Sequence, residues 1–149
     1  MKEIIRNKTS IFISDSALEI IKSFKQFGTT ENESGGILLG QISDKGIYIL
    51  RASTPNKFDK SSRYSFECNK DAAQVIINYE FQNSGRKTIY IGEWHTHPEK
   101  NPTPSGVDKS MIIGQFKKNK LNEPFLILII QGLSEFYIAI WDGKKLHDK

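Results

Sequence analysis

The segment Gly92-Glu93-Trp94-His95-Thr96-His97-Pro98 holds the side chains best suited to chemistry in this chain. Along a β-strand, residues i and i+2 project from the same face, so His95 and His97 are expected side by side. Two imidazoles fixed on a rigid strand make a bidentate nitrogen site for a borderline metal such as zinc. Pro98 cannot extend a central strand, which places both histidines at its end, where a cleft opens. Taken alone, His-x-His also fits an exposed polar face carrying two unrelated histidines.

Ser105 and Asp108 follow at i, i+3, at the expected start of a helix and on one face of its first turn. This spacing has two readings. Ser105 with an acidic residue three positions on resembles a capping box, present for helix stability alone. Alternatively, Asp108 supplies the third protein ligand that a two-histidine zinc site needs, because catalytic zinc commonly keeps three protein ligands and leaves the fourth position to water. Prolines 98, 102 and 104 would fold the helix start back against the strand end. A metal lowers the pKa of its water to about 7, and hydrolysis then needs a carboxylate to take the proton and return it to the leaving amine. Glu33, just ahead of the Gly-led apolar stretch Ser34–Gly40, is the candidate base; on spacing alone Glu31, Glu93 and Glu99 compete with it.

The elements that must position these residues are legible in outline. Ser14-Asp15-Ser16 offers helix N-caps, and Ala17, Leu18, Ile20, Ile21 and Phe24 recur at helical spacing until Gly28 with Thr29 and Thr30. Gly36–Ile42 and Ile47–Ala52 read as a hairpin about Ser43-Asp44-Lys45-Gly46, followed by a polar loop, 53–62, containing Pro55 and Asn56. A short strand is expected at Arg63–Glu67. A helix from about Asp71 to Gln82 follows, with Ala72, Val75, Ile76 and Tyr79 as its apolar stripe. Thr88–Trp94 forms the strand that runs into the histidines. Val107, Met111, Ile112 and Phe116 mark a third helix, and Phe125–Gln131 with Glu135–Trp141 form a last hairpin about Gly132. The order αβββαβαββ predicts an α+β fold: one curved mixed sheet with flanking helices.

At 149 residues the chain is expected to form one domain, 1–149, able to bury roughly 70% of its unfolded surface. No apolar run approaches the ~20 residues that span a bilayer, and the N-terminal stretch lacks the apolar core of a signal peptide. A single cysteine, Cys68, fits a reducing cytoplasm and is read as structural. The net charge of +4 comes from 21 Lys and Arg against 17 Asp and Glu. Lys117, Lys118 and Lys120, and Lys144 with Lys145, are the densest basic clusters, and no aromatics are interleaved with them for base stacking. They read as solvated surface, and neither a nucleic acid nor a membrane is an expected partner.

The pattern Glu33, then His95-Thr96-His97-Pro98, then Ser105-Gly106-Val107-Asp108 resembles the JAMM signature of MPN/JAB-domain zinc metalloproteases: Glu, a long gap, His-x-His, and Ser-x-x-Asp. All five signature positions are present, and the likeness covers nearly the whole chain. The resemblance implies that His95, His97 and Asp108 bind Zn2+, that Glu33 is the general acid/base, and that Ser105 hydrogen-bonds the oxyanion or the water. It further implies cleavage after the C-terminal glycine of ubiquitin or a ubiquitin-like modifier. The bare domain with Gly-Glu-Trp-His-Thr-His-Pro is most similar to the prokaryotic JAB group, found beside E1- and E2-like enzymes. Some members act in CBASS anti-phage operons, where the JAB protein removes a nucleotidyltransferase from its conjugates. Other roles open to relatives are trimming a sulfur-carrier-like protein, a non-catalytic MPN-type binding scaffold, and DNA repair of the RadC type. For an isopeptidase, the site is expected at the end of a groove along a sheet edge, where an extended tail adds a strand and small residues precede the scissile bond.

Overall fold

The computed structural model describes residues 1–149 except Thr29, Lys120 and Asn122. The expected end of the first helix at Thr29, and Lys120 of the basic cluster, lie outside the described residues. The elements run β1 (Lys2–Arg6), β2 (Thr9–Ile13), α1 (Asp15–Ser23), β3 (Gly35–Ser43), β4 (Gly46–Ala52), β5 (Lys60–Ser61), β6 (Phe66–Glu67), α2 (Lys70–Asn83), β7 (Ile89–Thr96), α3 (Gly106–Lys118), β8 (Leu126–Gln131), β9 (Phe136–Trp141) and β10 (Leu146–His147).

Eight strands form one mixed sheet in the order β1-β2-β4-β3-β7-β8-β9-β10, with β2–β4 and β7–β8 parallel and the other pairs antiparallel. The fold is α+β, as the sequence predicts. The sheet curls until its outer strands approach each other: Arg6 Nε donates to the Ile138 carbonyl at 2.9 Å, and the Asn7 N–H donates to the Lys149 carbonyl at 2.9 Å. β8 shows why its sequence is a continuous apolar run. Leu126, Leu128 and Ile130 pack with Ile112 of α3 on one face, while Ile127 and Ile129 join Ile11, Ile49, Trp94 and Ile138 on the other, against Ala17 and Ile21 of α1. A central strand covered on both faces has no polar side to show.

Three expectations need correction. Arg63–Glu67 does not join the main sheet; only Phe66–Glu67 is strand, and it pairs with β5 as a separate two-stranded sheet. β1, β2, β10 and, within the expected 53–62 loop, β5 lie outside the strands expected from the sequence. In α2, Val75 and Tyr79 of the expected apolar stripe are exposed, because the helix turns its Ala73 and Ile77 side toward the sheet instead. The basis of that error is that α2 has no fully buried residue, so its periodicity is shallow.

β7 carries the histidines and is interior, with β3 on one side and β8 on the other. The histidines therefore lie at the end of an interior strand of the main sheet. A register shift beside Leu38 and Leu39 leaves Ile91 without an opposite residue on β3. This bulge lets Tyr90 fall in with the α3-side cluster while Ile91 and Trp94 join the α1-side core.

Candidate metal centre

Three parts of the chain deliver one side chain each, or two, to the same point. The stretch ahead of β3 is tied to the end of β7: the Ser34 N–H donates to Thr96 Oγ1 at 3.0 Å, and the Thr96 N–H donates to the Ser34 carbonyl at 2.9 Å. Gly35 pairs with His95, and a Cβ there would lie 2.5 Å from both the Phe66 ring and the Trp94 carbonyl oxygen. Only glycine permits that approach. The Glu33 N–H donates to the Ser62 carbonyl at 2.8 Å, which fixes the backbone from the other side. On β7 the last pairing extends one residue further, where the His97 N–H donates to the Gln131 carbonyl at 3.0 Å.

Asp108 comes from the first turn of α3. Ser105 is its N-cap, and the capping box is complete: Ser105 Oγ accepts the Asp108 N–H at 3.1 Å, and Asp108 Oδ2 accepts the Ser105 N–H at 2.8 Å. The two sequence readings of Ser105 and Asp108 thus do not exclude each other, since the capping contact points the carboxylate toward the histidines. His95 Nε2 lies 3.1 Å from Asp108 Oδ1, and His97 Nε2 lies 3.1 Å from Asp108 Oδ2 and 3.9 Å from Glu33 Oε2. Glu33, His95, His97 and Asp108 are all buried, and their donor atoms lie within 4.8 Å of one another.

Burial and company set the charges. Burial pushes Glu33 up to about 8, His97 pulls it down, and Asp108 and Glu99 push it up again. Burial also raises Asp108, but the two imidazoles and the Ser105 N–H outweigh this and hold it well below the usual carboxylate range. For His97, burial lowers the pKa, and Asp108, Glu33 and Glu99 together overcome that and raise it.

The donor set fits a divalent metal. Two imidazoles and a carboxylate are the ligand types zinc takes in catalytic sites. Despite their short separations, Glu33 Oε1 and His95 Nε2 are buried without a hydrogen-bond partner among the described residues. Buried polar atoms are rarely left this way, and an ion is one recognised reason. The donor atoms gather around one point. Among the rival bases, Glu99 lies against the far side of His97 and Glu93 sits in a separate cavity, so Glu33 alone of these faces the convergence point.

A family model described as prokaryotic homologs of the JAB domain matches residues 23–142. The chain belongs to this family. The JAB-family chain is 34% identical over 137 residues to a Pseudomonas aeruginosa protein named CD-NTase/cGAS isopeptidase, covering 92% of this chain and 86% of that one. A Vibrio cholerae protein of the same name is 30% identical, with 83% and 74% covered. A Sinorhizobium fredii protein named probable metalloprotease is 28% identical, with 75% and 71% covered. In fold, the JAB chain matches the solution structure of a Desulfitobacterium hafniense protein with TM-score 0.64 at 19% identity, over 93% of this chain and 89% of that one. No helix among the described residues is long and apolar enough to cross a membrane.

Proposed function

We propose that this JAB-family protein is a zinc-dependent isopeptidase acting on a protein conjugated through a C-terminal glycine, as a single catalytic domain over residues 1–149. The observation that carries this reading is the buried convergence of Glu33, His95, His97 and Asp108. The names of the relatives, isopeptidase and metalloprotease, support the same reaction class. The conjugated protein is a ubiquitin-like modifier or a nucleotidyltransferase tail, the latter in a cytoplasmic anti-phage system with E1- and E2-like partners.

His95, His97 and Asp108 are the ligands in this reading. Zinc, when bound, supplies a Lewis acid for the scissile carbonyl and lowers the pKa of its water to about 7. Asp108 is held ionised by its surroundings, which suits a permanent ligand. Glu33 stands back from the ligand nitrogens, at 3.9 Å from His97 Nε2, and its carboxyl is poised near neutrality rather than fully acidic. In its ionised form this carboxylate takes a proton from water and returns it to the leaving lysine amine. Ser105 Oγ accepts the Asp108 N–H and keeps its own hydrogen free to donate to the oxyanion. Since β7 has neighbours on both sides, the strand to which an extended tail would add is β6, whose Glu67 lines the groove along α3 with Gly106 and Gly114.

The test uses a linear fusion bearing a flexible tail that ends in Gly at the junction, and the same fusion with Phe in place of that Gly. Cleavage of the first alone, abolished by a chelator and restored by zinc, is expected, together with loss of zinc from His97→Ala by elemental analysis. Equal cleavage of both fusions, chelator-resistant cleavage, or full zinc in His97→Ala would overturn the proposal.

A further inference from the structure

His97 has two faces. Its Nε2 points at Asp108 and Glu33, and its Nδ1 lies 3.1 Å from Oε1 of Glu99. A neutral imidazole carries one hydrogen, and with that hydrogen on Nδ1 the lone pair of Nε2 is free for a metal. Nδ1 is buried and makes no hydrogen bond of acceptable angle among the described residues. The Glu99 carboxylate is at hydrogen-bonding distance but off the line of the ring N–H, and its side chain is 51% exposed, so it has room to swing into line.

The backbone around Glu99 has no such freedom. The Leu133 N–H donates to the Glu99 carbonyl at 2.7 Å, and the Glu135 N–H donates to the Lys100 carbonyl at 3.0 Å. Gly132 lies between them, and a Cβ there would be 2.5 Å from the Glu99 carbonyl oxygen and 2.6 Å from Pro102 Cδ. His97 hangs from the same place, through its N–H to the Gln131 carbonyl. The turn joining β8 and β9 therefore fixes the backbone from which both the ring and the carboxylate reach.

We propose that Glu99 is a positioning residue that accepts the Nδ1 hydrogen of His97 and so presents Nε2 to zinc, with the β8–β9 turn as its platform. This rests on the reading of the metal centre given above. A carboxylate behind a metal-bound histidine fixes the tautomer and ring orientation and raises the basicity of the ligand, and its loss commonly weakens metal binding by about 10–100-fold. Glu99 touches neither substrate nor metal; it acts through His97.

Zinc affinity, measured by competition against a chromophoric chelator, tests this without reference to catalysis. Glu99→Ala is expected to bind zinc about 10–100-fold more weakly than wild type. Glu99→Gln keeps an acceptor oxygen and should recover part of the loss. The metal-free melting temperatures should be alike, which separates positioning from a general structural role. With cobalt as the probe, the visible absorption of Glu99→Ala should shift, reporting a changed ligand geometry. Gly132→Ala should weaken zinc in the same direction as Glu99→Ala. Wild-type affinity in Glu99→Ala would overturn the role of Glu99, and wild-type affinity in Gly132→Ala would overturn the role of the turn. Failure of the wild-type protein to bind zinc would instead overturn the metal centre itself.

Discussion

The face of β7 that holds the histidines carries a second, half-buried polar cluster just before them. Glu93 lies two residues ahead of His95, in a cavity of about 420 Å3 lined by Ile37, Cys68, Ile77 and Tyr90 between α2 and α3. Its Oε1 accepts the Tyr90 hydroxyl hydrogen at 3.2 Å. Burial pushes Glu93 up to about 7, with Tyr90 pulling it down and Glu67 pushing it up. Burial likewise drives the Tyr90 hydroxyl well above its ordinary range. In the metal centre the same desolvation acts on Asp108 and is overcome, because two imidazoles and a backbone N–H face it. Burial sets the baseline in both places, and the partners decide which group keeps its charge. A buried carboxylate is therefore not evidence of catalysis until its neighbours are counted.

Replacing Glu33, the base in the proposed reaction, should separate the two clusters most widely. Glu33→Gln is expected to keep zinc and fold while lowering turnover by about 10²–10⁴-fold, the usual worth of a positioned acid/base. Steady-state rates together with zinc content check this, and a wild-type rate would return the role to another carboxylate. Ser105→Ala comes next. As an oxyanion donor, Ser105 should be worth about 10²–10³ in kcat with KM little changed. As a helix cap alone, its loss should cost about 1 kcal/mol of stability and leave the kinetics intact, so kinetics and denaturation measured together discriminate.

The smallest effect should come from Glu93→Gln, with zinc content and turnover near wild type. Its signature is pH. The folded-state pKa of Glu93, about 7, lies above the ordinary 4.5, so the folded protein holds the extra proton between these values. The stability it gives is complete below pH 4.5 and is lost as pH rises through about 7. The glutamine variant should lack this loss and gain on the order of 2 kcal/mol relative to wild type above neutral pH. Parallel stability–pH curves for the two proteins would show that burial does not act on Glu93 as described.

The gathering of His95, His97 and Asp108 was legible in the sequence because each part follows a local rule. Strand alternation pairs His95 with His97, and a capping box puts Asp108 on the first turn of a helix. Glu33 was harder, because its placement depends on Gly35 reaching the end of β7, a contact 60 residues away along the chain between Gly35 and His95. Glu99 was read as a rival base, since no local rule reveals that a turn at 131–135 would hold it behind His97. The β1–β2 hairpin was missed although a signal existed. Asn7 and Lys8 both have positive φ, 49° and 63°, as a two-residue hairpin turn requires, and asparagine is a favoured residue there. Lysine in that conformation is uncommon, which hid the turn. The stripe on α2 misled because Val75 and Tyr79 follow helical spacing yet face outward.

Cys68, half-buried, lines the cavity around Glu93, and it is the only cysteine in the chain. Burial, with Glu93, Asp59 and Glu67 nearby, pushes its thiol far up, so little thiolate exists in the folded state. Alkylating reagents attack the thiolate, so the rate of labelling at mildly alkaline pH follows how readily this half-buried thiol gains its charge. The molecule thus contains a reporter on the corner between α2 and the sheet, readable by mass spectrometry with no residue replaced.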